Sequence, residues 1–241
     1  MKNLVLLLLT CTIAFSSVNA QGLKGMLGKA KDVLDGKGLS QEDVGNGLKQ
    51  ALDIGVGEAV DFLSVEDGYY KSAYKILLPE EAQKVTNKLS AIPGFKDAED
   101  KMVEKLNRAA EDAAQAAKPI FISAIKKMTF KDAMNILMGD KDSATRYLEK
   151  STFDQLYNAF KPSIVKSLDK VKATEYWSGA VKAHNKLPFT KKANPDLEDY
   201  VTRQALSGMF GLVEKKEEDI RGDKSLRTND LLKKVFAKQD K

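Results

Sequence analysis

Apolar residues recur at intervals of three and four along most of the chain, and this spacing is typical of amphipathic α-helices. The stretch after Ser40 shows the pattern clearly, because its apolar residues from Val44 to Leu63 lie on one helical face. Ser40 and Asp43 have the spacing of an acidic capping box, which predicts that a helix begins there. No segment shows the sustained period-two alternation of a half-buried strand. The pattern predicts an all-α fold: a single compact multi-helix domain of about ten helices, with a short N-terminal helical arm.

Proline, glycine and capping residues divide the rest of the pattern into predicted helices. Asp67-Gly68 predicts a turn, and Pro79 has the position of the first residue of a helix that ends at Pro93-Gly94. The other predicted helix starts lie at about Phe95, Pro119, Thr129, Asp140 or Asp142, Ser151 or Thr152, Pro162, Asn194-Pro195 and Thr228, and one more helix carries Tyr176-Trp177 and Val181.

The first twenty residues have the pattern of a secretory signal peptide. Lys2 precedes an apolar run that begins with Leu4–Leu9, and the small residues Val18-Asn19-Ala20 predict cleavage before Gln21. The run is shorter than the ~20 residues of a membrane span. A lipoprotein is the alternative, because the residues before Cys11 resemble a lipobox, but the threonine that precedes this cysteine is larger than usual there. We therefore expect a periplasmic or secreted protein that starts at Gln21, and favour this over lipid anchoring at Cys11.

Residues 21–38 form a separate segment, because glycines set them apart from the body domain at residues 39–241. Their apolar residues form one helical stripe, but Gly25 and Gly28 weaken a helix by about 1 kcal/mol each. The favoured interpretation is an arm that packs weakly on the body. The alternative is a helix that binds a membrane surface or a partner, with Lys24, Lys29 and Lys31 on its solvent-facing side.

The composition excludes several classes of function. The 241 residues include 39 Lys and Arg against 34 Asp and Glu, a formal charge of +5. Acidic and basic residues are interspersed, which is typical of a solvated surface, so nucleic-acid binding is not predicted. Cys11 and His184 are the only Cys and His, and the sequence contains neither a phosphate loop nor a G-x-S-x-G elbow. The sequence therefore predicts no metal, no cofactor and no catalytic constellation.

Three polar residues, Asn107, Arg108 and Glu111, lie in an alanine-rich stretch of the long helix predicted from about Phe95. Small residues predict that neighbouring helices approach closely there, and polar groups at such a place must be paired. Arg108 and Glu111 either tie the helix to its surroundings or line a polar pocket, and the absence of a reactive partner favours the tie. The candidate ligand-binding residues are Asn107, Arg108, Glu111, Tyr69, Tyr70, Tyr176 and Trp177, and the alternative for the four aromatic residues is a role in the core.

Several motifs share their order and spacing with one family. They are Leu39-Ser40, Gly47-Leu48-Lys49-Gln50-Ala51-Leu52, Asn107-Arg108-Ala109-Ala110-Glu111, Lys118-Pro119-Ile120-Phe121, Thr129-Phe130-Lys131-Asp132-Ala133, Asn194-Pro195-Asp196-Leu197-Glu198-Asp199-Tyr200 and Thr228-Asn229-Asp230-Leu231-Leu232. Over about Leu39 to Phe236 the chain resembles the bacterial family called domain of unknown function 4197. The resemblance implies an exported, all-helical bacterial protein in one domain, and it brings no activity, cofactor or catalytic residue.

Three hypotheses of function remain. The first is a non-enzymatic envelope protein that binds a partner or an apolar ligand between its helices, because aromatic residues are present and a catalytic constellation is not. The second is a hydrolase that works with carboxylates, in which Glu111 is the candidate acid. The third is a scaffold that docks on a membrane surface or on a partner through its N-terminal arm. A closed contact between Glu111 and Arg108 or Asn107 favours a structural role for these residues over a site.

Overall fold

The computed structural model describes residues 40–79, 83, 98–170, 177–178, 181–182, 185–186, 188, 192, 196–227 and 230–237. The chain divides into two units, residues 1–39 and 40–241, and every described residue belongs to the second. The predicted signal peptide and arm, most of the predicted helix after Pro79, Tyr176 and His184 therefore lie outside the described residues.

The described residues form seven α-helices and one 3₁₀-helix, and they contain no strand. The helices are α1 (Gln41–Leu63), α2 (Ala98–Ala114), α3 (Ala117–Lys127), α4 (Phe130–Met138), α5 (Ser143–Asp169), α6 (Leu197–Gly222), the 3₁₀-helix Lys224–Leu226 and α7 (Asp230–Phe236). The predicted all-α class is confirmed. Within this part of the chain, no helix combines the length and the apolar character that crossing a membrane requires.

The described residues hold seven α-helices, where the sequence predicted about ten for the whole chain, and α5 supplies one reason for the difference. The predicted starts at Ser151 or Thr152 and at Pro162 are wrong, because all three residues lie inside α5. The Thr152 hydroxyl donates to the carbonyl of Leu148 at 2.6 Å instead of capping a new helix. Pro162 has no N–H to donate, yet Phe160 and Ile164, one turn apart on the same face of the helix, are fully buried. Packing of that face keeps the helix continuous.

Three predicted N-caps lie in the expected positions, but the third makes no side-chain cap bond. The Ser40–Asp43 and Thr129–Asp132 capping boxes are both formed, at α1 and α4. At α5, however, Asp142 occupies the N-cap position without a side-chain cap bond. The α5 N-terminus is capped from another helix, because the Glu217 carboxylate of α6 accepts the N–H groups of Ala144 at 3.0 Å and Thr145 at 2.8 Å. This long-range cap leaves no local signal in the sequence.

The two longest helices, α5 and α6, pack along each other, and α5 also packs on α2. Ion pairs of Arg146 with Glu214 and of Lys161 with Asp196 show that α5 and α6 run antiparallel. Four alanines in the second half of α2 are buried, as the small-residue pattern predicted, so that neighbouring helices approach α2 closely: Ala109, Ala110, Ala113 and Ala114. This close packing puts the polar residues of α2 next to the segment that follows α1.

Candidate functional site

Residues 64–79, here called the tethered loop, follow α1 without forming a helix or strand. The predicted turn at Asp67-Gly68 is confirmed. Asp67 has a positive φ of 70°, a conformation that costs most residues about 1 kcal/mol or more. A Cβ atom on Gly68 would lie 2.3 Å from the carbonyl oxygen of Phe62, so only glycine fits there. The loop therefore has one specific, partly strained path.

Glu111 of α2 holds the centre of this loop. Its Oε1 atom accepts the backbone N–H groups of Tyr69 and Tyr70, both at 3.1 Å. Its Oε2 atom accepts a hydrogen bond from Nη1 of Arg108 at 2.7 Å. The Glu111 residue is 3% exposed, and three donors surround its carboxylate. The carboxylate thus replaces the helix or sheet partner that these two loop amides lack.

Arg108 connects the same carboxylate to the turn. Its Nη2 atom lies 2.7 Å from Oδ1 of Asp67, and Glu66 and Glu104 lie farther away, at 3.6 and 3.9 Å. The hydrogen bond to Glu111 is the largest of the causes that raise the pKa of Arg108. Hydrogen bonds from Lys71 and then Arg108 hold the pKa of Asp67 below its usual value. Asp67 thus stays a charged acceptor in its positive-φ conformation.

Asn107 holds the far end of the loop. Its Oδ1 atom accepts the N–H of Ile76 at 2.8 Å, and its Nδ2 atom donates to the carbonyl of Ile76 at 2.8 Å and of Val103 at 2.7 Å. Asn107 is fully buried. One side-chain amide therefore satisfies both main-chain groups of a loop residue, as a neighbouring strand would.

Tyr69 anchors the loop on α6. Its ring is fully buried and its hydroxyl donates to the carbonyl of Ala205 at 2.7 Å. Burial raises the pKa of Tyr69, so the hydroxyl remains a donor. A Cβ atom on Gly208 would lie 3.0 Å from Cε1 of Tyr69 and 3.3 Å from Cβ of Tyr74. Glycine at this position of α6 lets both tyrosines approach the helix.

The family model described as "Protein of unknown function (DUF4197)" matches residues 38–237. The chain belongs to this family. The match confirms the family resemblance of the sequence motifs and covers every residue that the structure describes. No curated protein and no solved structure matches the DUF4197 chain significantly.

Five of the seven candidate residues of this DUF4197 protein meet at the tethered loop: Asn107, Arg108, Glu111, Tyr69 and Tyr70. Tyr70 is half-buried, and its ring centre lies 4.5 Å from Nζ of Lys75 and 5.3 Å from the guanidinium carbon of Arg108. Trp177 is 6% exposed, which agrees with the alternative interpretation of this residue as part of the core. The remaining candidate, Tyr176, lies outside the described residues.

The sequence reasoning missed the exposed apolar side chains at both ends of this loop. Among the residues that the structure describes, five large hydrophobic side chains are exposed, and three of them flank or belong to the loop: Phe62 at 50%, Val65 at 56% and Leu77 at 54%. Leu77 lies between the buried residues Ile76 and Leu78 in an extended segment. The sequence carries no signal for this exposure, because Ile76, Leu77 and Leu78 form one apolar run with no period-two alternation.

The chemistry of this site is that of a rigid framework. Both oxygens of the Glu111 carboxylate are occupied by donors of the fold. In the described part of the chain, every buried side-chain nitrogen or oxygen has a hydrogen-bond partner, and no cluster of three or more His, Cys, Asp or Glu residues could hold a metal ion. The arrangement of these side chains fixes the conformation of the loop and presents its apolar ends to solvent.

Proposed function

We propose that this DUF4197 protein is an exported, non-enzymatic protein of the bacterial cell envelope that binds a protein partner through the tethered loop. One observation carries the proposal: three polar side chains of α2, two buried and one half-buried, hold an irregular loop, and Phe62, Val65 and Leu77 are exposed in or beside its ends. Binding residues are concentrated on loops that a rigid scaffold positions.

The contacts by which Asn107, Arg108 and Glu111 hold the tethered loop, here called the tether, support a role in recognition on energetic grounds. Ordering a backbone costs about 1–2 kcal/mol per residue, and a loop that is ordered before binding does not lose that entropy in the complex. An ion pair with a buried carboxylate, such as that of Arg108 with Glu111, adds little net stability compared with apolar packing. The tether therefore contributes a defined loop conformation more than it contributes stability.

The packing favours a partner on the surface over an apolar ligand enclosed between helices. Sites for small ligands occupy roughly 300–1,000 Å³. The groove between α1 and α6, which Gly55 and Val213 line, has a volume of about 20 Å³, enough for about one water molecule. A larger depression of about 550 Å³, at Asn158 and Pro162, is lined by α5 alone and opens to solvent. Exposed apolar side chains in a fixed arrangement are instead the anchors that protein interfaces use.

The hydrolase hypothesis has no comparable support. A general acid must hold a proton and deliver it to the substrate, whereas Glu111 is held as an acceptor by Tyr69, Tyr70 and Arg108. The scaffold hypothesis depends on the arm at residues 21–38, outside the described residues, and it stays a prediction.

Site-specific photocrosslinking in the native host tests the binding function. A benzophenone amino acid replaces Val65 or Leu77 at the loop, and Met138, which is 66% exposed on α4, serves as the matched apolar control. We expect one discrete protein adduct from both loop positions and none from Met138. Absence of adducts at the loop, or an equal adduct at Met138, would contradict the proposal.

The mass of the protein from the envelope fraction tests the export part of the proposal. We expect a chain that starts at Gln21, and a chain with a diacylated Cys11 would overturn the proposed export as a soluble protein.

A further inference from the structure

Four of the five arginines in this chain use their guanidinium groups to hold the fold together. Arg108 binds Glu111 and Asp67, while Arg146 binds Asp142, Glu149 and Glu214. The other two, Arg221 and Arg227, donate to main-chain carbonyls at helix ends. Arg203 of α6 is the exception, because most of its donors have no acceptor in the described part of the protein.

Arg203 is oriented firmly through one edge only. Its Nε atom donates to Oδ1 and Oδ2 of Asp199 at 2.9 and 3.1 Å. Its guanidinium carbon lies 5.3 Å from the ring centre of Tyr157 and 5.9 Å from that of Phe153. These two rings of α5 stack on each other, with centres 6.4 Å apart. Within the described residues neither Nη atom has a partner, and the side chain is 57% exposed.

We infer that the protein partner binds Arg203 through a carboxylate group. This inference rests on the proposed function and names the chemistry of its partner. The two Nη atoms carry four of the five guanidinium N–H donors. Carboxylates accept such donors in pairs, and the planar fork of arginine suits that geometry.

The surroundings of Arg203 are those of an interface anchor. Tyr157 donates its hydroxyl to Asp199 at 2.7 Å, so that carboxylate is already bound by both Tyr157 and Arg203. Stacking on the rings and the bond to Asp199 reduce the rotamer freedom of Arg203 before a partner arrives, which lowers the entropy cost of binding. Arginine and tyrosine are also the residues most enriched among interface positions that dominate affinity.

Arg203 belongs to the same part of the surface as one end of the tethered loop. The hydroxyl of Tyr200 donates to the carbonyl of Leu77 at 3.0 Å. Tyr200 and Arg203 are three residues apart on α6 and are therefore neighbours on its surface. A partner segment that places an apolar side chain on Leu77 therefore has Arg203 within reach of an adjacent Asp, Glu or C-terminal carboxylate.

The photoadduct formed from position 77 provides the test, and Arg146 provides the matched control. Arg146 is half-exposed and lies in the same pair of packed helices, but all three of its guanidinium nitrogens are bound by carboxylates of the fold. We expect Arg203→Gln to lower the adduct yield about tenfold, the size of a modest hot spot, and Arg146→Gln to leave it unchanged. Thermal melting monitors folding, with Arg203→Gln expected to stay close to the parent.

The outcomes separate this inference from the proposed function. An adduct that persists at full yield in Arg203→Gln overturns the carboxylate contact and leaves the partner-binding function intact, whereas no adduct in the parent overturns both. A photoadduct with a lipid, or with a second copy of this chain, also contradicts the inference.

A second experiment needs no partner. Sodium glutarate at constant ionic strength should shift the Nε resonance of Arg203 and not that of Arg146. Equal shifts at the two arginines, or a larger Arg203 shift with inorganic phosphate, would overturn the carboxylate assignment.

Discussion

Glu111 accepts the backbone N–H of Tyr70 across 41 residues of sequence. A carboxylate of one helix thereby completes the main-chain hydrogen bonding of a distant loop, and Arg108 neutralises its charge at 2.7 Å. The pair acts as a unit, because Glu111 without Arg108 would leave an unpaired charge in a buried place. The loop conformation and the pairing of these two side chains are therefore expected to be lost together.

Replacing Arg108 with alanine tests this dependence. Arg108→Ala leaves the Glu111 carboxylate at 3% exposure without its counter-charge, which we expect to lower the free energy of unfolding by about 3 kcal/mol. Urea denaturation measures the change. Arg203→Ala is the control and should cost less than about 1 kcal/mol, because among the described residues only the Nε atom of Arg203 makes a hydrogen bond, at an exposed position. An unchanged midpoint for Arg108→Ala would sink the structural role of the pair.

Gly68 tests whether the path of the loop is as narrow as its geometry indicates. A Cβ atom there meets the Phe62 carbonyl oxygen at 2.3 Å and the Leu63 backbone at 3.0 Å, and backbone atoms cannot move aside cheaply. Gly68→Ala should therefore destabilise the protein by about 2 kcal/mol and weaken the photoadducts from positions 65 and 77.

Gly222 supplies the control for this substitution. A Cβ atom on Gly222 meets nothing within 4 Å, and the residue ends α6 in an exposed position. Gly222→Ala should leave the melting temperature unchanged or raise it slightly, since alanine has the higher helix propensity by about 1 kcal/mol. Similar losses for Gly68→Ala and Gly222→Ala would show that the close contact does not constrain the loop.

Local signals in the sequence predicted the fold class, two capping boxes, the Asp67-Gly68 turn and the pairing of polar groups on α2. All of these depend on residues close together in the chain, where the number of residues between two positions determines their relative placement in a helix or turn. The continuity of α5 through Pro162 and its cap by Glu217 depend on tertiary packing, which spacing does not encode. The break expected at Pro162 was wrong because burial of residues around Pro162 outweighs the loss of one helical hydrogen bond.

The candidate site was predictable in part for the same reason. Alanines around Asn107, Arg108 and Glu111 indicated crowding, so their pairing followed from the cost of unpaired buried groups. Their partners were unpredictable, since the loop amides that they bind carry no side-chain signature. The Nη donors of Arg203, which have no acceptor in the described part of the chain, were equally hidden, because nothing in the sequence distinguishes Arg203 from the four arginines that bind within the fold.

Acid titration of Asp67 follows from its depressed pKa. A carboxyl group whose pKa is lower in the folded state stabilises the fold above its unfolded pKa, here a value of 3.8, and this stabilisation is lost as the pH falls through the folded pKa. We expect NMR titration to place the Asp67 pKa below 3.8. The hydrogen bond from Lys71, at 2.8 Å, is the main cause of the lowered pKa. Lys71→Met should therefore raise the pKa of Asp67, and an unchanged pKa would show that Lys71 does not cause the shift.

Glu217 tests the other long-range carboxylate of this fold. It accepts two N–H groups at the start of α5, the Thr145 hydroxyl at 2.9 Å and the Arg221 guanidinium at 2.8 Å. Glu217→Ala strands all these buried donors, and we expect it to lower the free energy of unfolding by about 3 kcal/mol or more. Asp142→Ala, at the N-cap position that makes no cap bond, should cost less than about 1 kcal/mol because it removes only a surface ion pair with Arg146. Urea denaturation of both variants decides between the two caps, since a larger loss for Asp142→Ala would mean that the start of α5 is held locally after all.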